Sequence, residues 1–185
     1  MRVTVINGSP RKGGNTAIMA DAFSEGAQEA GHIVRRIDLA DQHIAGCLGC
    51  QYCRNHPGEC AQDDDMKHIL EILNQTDILV LATPVYCFDM TGQMKIMLDR
   101  TYARGRDGAP IRKAVLLVDS VSENVHRAVT AQFETMLDYF GWGNGGIEII
   151  TGMTVWKDGA MRHAEGLKKV RELGRSLPKD MACPF

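Results

Sequence analysis

Along the first thirty residues the apolar positions change from the pattern of a strand to the pattern of a helix. Met1, Val3, Thr4, Val5 and Ile6 are apolar or β-branched and predict a strand ending at Asn7. From Thr16 the apolar residues fall at Ile18, Met19, Ala22, Phe23 and Ala27, one face of a helix that stops near Gly31. Residues 33–39 read as an edge strand with charges on one side. Residues 77–83 and 114–119 are near-continuous apolar runs, as expected of central parallel strands buried on both faces, and residues 146–151 supply a last strand. Further helices are predicted over residues 66–73, behind the carboxylates of Asp63, Asp64 and Asp65, and over about 92–103, 122–140 and 163–177.

Five strands alternating with five helices predict an α/β fold, a doubly wound five-stranded parallel sheet with helices on both faces. In the order 2-1-3-4-5 the ligand crevice lies outside the carboxyl ends of strands 1, 3 and 4, where the order reverses. Three loops meet there, over residues 8–16, 84–91 and 119–124. A chain of 185 residues is expected to form a single domain over 1–185, burying about 70% of its unfolded surface, with a cysteine-rich loop inserted at about 41–63.

The first loop, Asn7-Gly8-Ser9-Pro10-Arg11-Lys12-Gly13-Gly14-Asn15-Thr16, joins a strand to a helix. Such a junction aims backbone N–H groups and the positive end of a helix dipole at one spot, with Ser9, Asn15 and Thr16 adding side-chain donors. Gly14-Asn15 stands where a Walker loop needs Lys and Ser or Thr, so a triphosphate is excluded. The dinucleotide fingerprint fails on the spacing of Gly8, Gly13 and Gly14. What remains is a site for a terminal monophosphate, neutralised by Arg11 or Lys12, or a loop that only caps its helix.

Charge is close to balanced, 21 basic against 23 acidic side chains, which argues against nucleic-acid binding. No 18-residue apolar run is present and the N-terminus enters a strand directly, so a cytoplasmic protein without membrane attachment is expected. In that reducing compartment the six cysteines are thiols or metal ligands.

With these loops in place the chain resembles the flavodoxin-like NAD(P)H-dependent FMN reductase and quinone reductase superfamily. The resemblance rests on residues 8–16, on Thr83-Pro84-Val85-Tyr86 followed by Met90-Thr91-Gly92-Gln93-Met94-Lys95, and on Asp99-Arg100. It implies that the first loop holds the FMN phosphate and that Pro84, Val85, Tyr86, Cys87 and Phe88 lie against the isoalloxazine ring, with Ser120 contributing from the third loop. Relatives often carry a glycine-rich turn there, and this chain does not. Cys87 is expected to be a small buried residue, and Lys95, Asp99 and Arg100 an ion-pair group within one helix.

Cys47, Cys50, Cys53 and Cys60 have the spacing C-x₂-C-x₂-C-x₆-C, and Pro57-Gly58 can turn the chain so that one loop supplies all four ligands of a [4Fe–4S] cluster. Zinc or bare thiols are the alternatives, and His43 and His56 are read as surface residues. The arrangement resembles the iron–sulfur flavoprotein branch of the superfamily. The resemblance implies an FMN oxidoreductase that takes electrons from NADH or NADPH and passes them to a quinone, a flavin or another acceptor through the cluster. The alternative is an electron carrier reduced by ferredoxin without nicotinamide turnover. Arg100, Arg104 and Arg106 could receive a nicotinamide phosphate or an acidic ferredoxin. A homodimer or homotetramer is expected by analogy; Trp142, Trp156 and the methionines are either interface or core.

Overall fold

A computed structural model describes residues 1–105, 111–142, 146–154 and 163–180, with the side chains of residues 123 and 151–154 left out. Strands β1 (Arg2–Asn7), β2 (Ile33–Asp38), β3 (Ile78–Pro84), β4 (Lys113–Ser120) and β5 (Ile147–Thr154) form one sheet in the order β2-β1-β3-β4-β5. Every pairing is parallel. The flavodoxin-like, doubly wound order read from the sequence is the one observed.

The alternation of strand side chains divides the core. Val3, Val5, Ile78, Val80, Ala82, Val115 and Leu117 face α1 (Asn15–Glu29) and α6 (Ala164–Arg175). Ile6, Leu79, Leu81, Ala114, Leu116 and Val118 face the other layer, α3 (Met66–Leu73), α4 (Gly92–Arg100) and α5 (Arg127–Phe140). β3 and β4 are buried along their whole length, which is why their sequences read as unbroken apolar runs. β2 is half-exposed, as an edge strand should be.

The boundaries differ in detail. The helix expected over 92–103 is α4 followed by a tighter turn at Thr101–Arg104. That expected over 122–140 begins as a short turn before α5. A four-residue helix, α2 (Tyr52–Asn55), lies inside the cysteine segment, too short to show as periodicity. Trp142, Met90, Met94 and Met97 are core residues. Trp156, Met161, Arg106 and residues 181–185 lie outside the described residues, as does the Met153 side chain.

Candidate functional site

Parallel pairing brings the carboxyl ends of β1, β3 and β4 to one edge, and backbone bonds lash the loops together there. Gly8 N–H donates to Ala82 O (2.8 Å) and Val85 N–H to Asp119 O (2.9 Å). Thr91, the N-cap of α4, donates through Oγ1 to Gly8 O (2.7 Å) and accepts from Met94 N–H (3.2 Å). A Cβ on Gly8 would lie 2.9 Å from the end of Met94, so glycine lets the first loop rest on α4.

Between the loops lies a cavity of about 330 Å³, the size of a small cofactor site. Ser9, Arg11, Lys12, Asn15, Thr16, Pro84, Val85, Tyr86 and Ser120 all line it, together with Gly13, Gly14, Asp119 and Val121. The first loop curls through its own bonds: Ser9 N–H to Asn7 Oδ1 (3.1 Å), Arg11 N–H to Ser9 Oγ (3.2 Å), Gly14 N–H to Arg11 O (3.3 Å). Gly14 caps α1 with no side-chain acceptor and the first turn carries no acid, so the positive helix end is left for a ligand. A Cβ on Gly14 would press against Arg11 Cβ at 3.1 Å. Lys12 pairs with Asp41 at 2.5 Å, both exposed, while Arg11 is exposed at the rim. These features fit a monophosphate, and the wall of Pro84, Val85 and Tyr86 fits a flat ring.

Cys87, expected to be a small buried residue, is instead exposed. Cys87 and Phe88 are not in the cavity wall among the described residues, and Phe88 is 71% exposed. Tyr86 and Asp89 exchange backbone bonds of 2.8 and 3.1 Å around them, and both central residues have positive φ, 49° and 67°. This is the geometry of a two-residue hairpin turn that favours Asn-Gly. The double change Cys87→Asn with Phe88→Gly is therefore expected to stabilise the chain by about 1–2 kcal/mol, read as a raised Tm.

The sequence reading missed Asp119, which ends β4 and is only 5% exposed. Its Oδ1 accepts a hydrogen bond from Thr16 Oγ1 at 2.5 Å. Burial nevertheless pushes its carboxyl up to about 6. An acid at the carboxyl end of a central strand was the available signal. In the third loop, Ser120 Oγ donates to Ser122 O (2.7 Å) and lies 3.3 Å from His126 Nε2, so side-chain bonds shape a turn that lacks glycine.

The four cysteines line a second cavity, of about 100 Å³, against Asp99, Arg100, Tyr102 and Ala103 at the end of α4. Gly58 N–H donates to Ala103 O (2.9 Å), and Asp64 fixes the start of the segment by accepting from Ala45 N–H (3.0 Å). Burial pushes the Cys53 thiol up, and the sulfurs of Cys60, Cys47 and Cys50 push the same way. Among the described residues no three metal-ligating side chains converge tightly enough for a single ion. His43 and His56 are exposed; the His56 ring stacks on Tyr52 at 3.9 Å.

The arginines do not form the expected basic patch. Lys95 pairs with Asp99 (2.5 Å), but Arg100 turns inward to Asp64 (2.7 and 2.9 Å) and is 2% exposed. Arg104, 4% exposed, donates from Nε to Asn74 (3.0 Å) and lies over the Trp142 ring at 5.2 Å. Neither is available to a partner, because each is held by a group distant in sequence.

The family profile described as NADPH-dependent FMN reductase matches residues 1–149. The chain belongs to the NADPH-dependent FMN reductase family. Within that family's reach it is 30% identical to an iron–sulfur flavoprotein of Methanocaldococcus jannaschii, over 93% of this chain and 92% of the relative. It is 37% identical to an iron–sulfur flavoprotein of Archaeoglobus fulgidus over 57% of this chain and 47% of the relative. The chain thus spans about half the length of several curated relatives it matches. An NAD(P)H:quinone oxidoreductase from Methanothermobacter marburgensis has the same fold, with TM-score 0.73 and 22% identity over 96% of this chain and 99% of the other. Among the described residues of this FMN reductase family member, no helix is long and apolar enough to cross a membrane.

Proposed function

We propose that this chain is an FMN-dependent oxidoreductase that takes electrons from NADH or NADPH and passes them to a quinone, a flavin or another acceptor through a [4Fe–4S] cluster on Cys47, Cys50, Cys53 and Cys60. The observation that supports the reading is the pair of cavities near the two ends of α4, one with a lining that fits a monophosphate and a flat ring, one walled by four thiols. When bound, FMN supplies two-electron chemistry that can be released singly, and the cluster supplies a one-electron relay.

The chain's own residues bind and orient. Ser9, Gly13, Gly14, Asn15 and Thr16 surround the phosphate at the start of α1, with Arg11 and Lys12 as its counter-charges. Pro84, Val85 and Tyr86 hold the ring, and the exposed Phe88 offers an aromatic face outside the cavity wall. No side-chain acid or base is required. Four cysteines in one cavity wall are the ligand set that a four-iron cluster takes. The exposed groove of about 570 Å³ between α4 and α5, lined by Leu98, Tyr102, Met136, Tyr139 and Phe140, is the apolar surface that a homodimer or homotetramer would cover.

A ferredoxin-loaded carrier is the second reading, favoured by the exposure of Cys47 and Cys50, which a protein partner could approach. The test is anaerobic reconstitution with FMN, iron and sulfide. About one flavin and four iron per chain are expected, with rapid flavin bleaching by NADH or NADPH. Bleaching by reduced ferredoxin alone selects the carrier, and failure to take up FMN defeats both readings.

A further inference from the structure

One charged side chain in the wall of the cysteine cavity is wholly buried. Arg100 lines it with all four cysteines and is 2% exposed. Its two Nη groups are engaged: Nη1 donates to Ala45 O and Asp64 Oδ2, both at 2.7 Å, and Nη2 to Asp64 Oδ1 at 2.9 Å. Nε is buried with no hydrogen-bond partner among the described residues. Burial works against the guanidinium charge; Asp64 restores it, and the Cys60 sulfur adds to that effect. Arg100 is in the cavity wall and Asp64 is not among its lining residues.

A buried guanidinium donor without an acceptor is costly, and of the acceptors that line this cavity the Cys60 sulfur is the one that favours the Arg100 charge. Adding an electron to an iron–sulfur cluster makes it more negative, and N–H groups or cations beside its sulfurs favour that reduced state. We propose that Arg100 is a positioning residue for the cluster, donating Nε–H toward the Cys60 sulfur and raising the cluster's reduction potential with its fixed charge. This rests on the cluster reading above.

The experiment is a redox titration of the reconstituted protein, followed by the cluster's absorption and electron paramagnetic resonance, with iron counted in each sample. Arg100→Met paired with Asp64→Asn removes the cation without leaving a buried carboxylate alone. It is expected to lower the ratio of reduced to oxidised cluster at least tenfold at the wild-type midpoint, a downward shift of about 59 mV or more for a one-electron couple. Arg100→Lys, which keeps a cation and the Asp64 pair but loses Nε, is expected to shift in the same direction by less, and serves where the double variant folds poorly. Wild-type protein that takes up no iron and sulfide overturns the cluster reading itself. Variants that load the same iron at an unchanged potential leave that reading standing and overturn the role of Arg100, reducing it to a strut between Asp64 and Ala45.

Discussion

Alanine at Gly26 is expected to destabilise the chain by about 3 kcal/mol, or roughly 10 °C in Tm for a chain of this size. Gly26 lies on the face of α1 that meets α6, and a Cβ there would be 2.0 Å from Arg171 O and 2.9 Å from Arg171 C. The contact is reciprocal: a Cβ on Gly174 would be 2.2 Å from Phe23 O. These neighbours are backbone, so the helices themselves must separate. Alanine gains up to about 1 kcal/mol of helix propensity, less than overpacking costs. Ion pairs of Glu25 and Glu29 with Arg171 and Arg175 flank the crossing but are exposed and cannot offset that strain. Gly92→Ala, where a Cβ meets nothing within 4 Å, is the control and should leave Tm nearly unchanged. An unshifted Tm for Gly26→Ala in thermal unfolding would refute the close crossing.

Flavin affinity is expected to fall as pH rises through about 6, and the fall to flatten in Asp119→Asn. Burial raises the Asp119 carboxyl to about 6, and the Thr16 hydroxyl and the charge of Arg11 only partly oppose it. Below that value the group is neutral and tolerates an anion; above it, an anionic ligand in the same cavity must either meet a carboxylate or bring a proton with it. Linkage then allows up to about a tenfold loss of affinity per pH unit. At pH 8 the Asn variant should bind FMN at least about tenfold more tightly than wild type. The phosphate of FMN titrates near 6 as well, so the comparison with Asp119→Asn isolates the protein's share. Fluorescence titration at pH 5 to 8 checks it, and parallel curves for the two proteins would refute it.

The same carboxyl affects folding. Because its folded pKa lies above the unfolded value of 3.8, the native state holds the proton more tightly. Stability therefore declines between about pH 4 and 6, by an amount on the order of 3 kcal/mol, and stays lower above. Asp119→Asn should unfold with a flatter pH dependence over that window.

What could be read from the chain beforehand follows the range of the interactions. Strands β3 and β4 are buried on both faces, so 77–83 and 114–119 announced themselves as apolar runs. The sheet order and the meeting of residues 9–16 with 84–86 and 120 came with the alternation. Contacts between distant residues had no local signature. Arg100 was grouped with Lys95 and Asp99 because closeness along one helix is visible in a sequence; Lys95 does pair with Asp99, whereas the partner of Arg100, Asp64, lies 36 residues earlier. Gly26 and Gly174 carry no mark of the helix crossing that requires them. Cys87 was expected to be buried and is exposed, because only backbone angles show that Cys87 and Phe88 occupy a tight turn better suited to glycine.

α4 is capped at its start by Thr91, which holds the first loop through Gly8, and ends at Arg100 in the wall of the cysteine cavity. Nine residues at about 1.5 Å each make it a gauge of roughly 13 Å. Inserting one residue would rotate its end by about 100° and carry the guanidinium off Asp64. Loops that line neither cavity can lengthen at small entropic cost. This helix cannot, so its length should be the least negotiable dimension in any chimera that exchanges the cysteine segment.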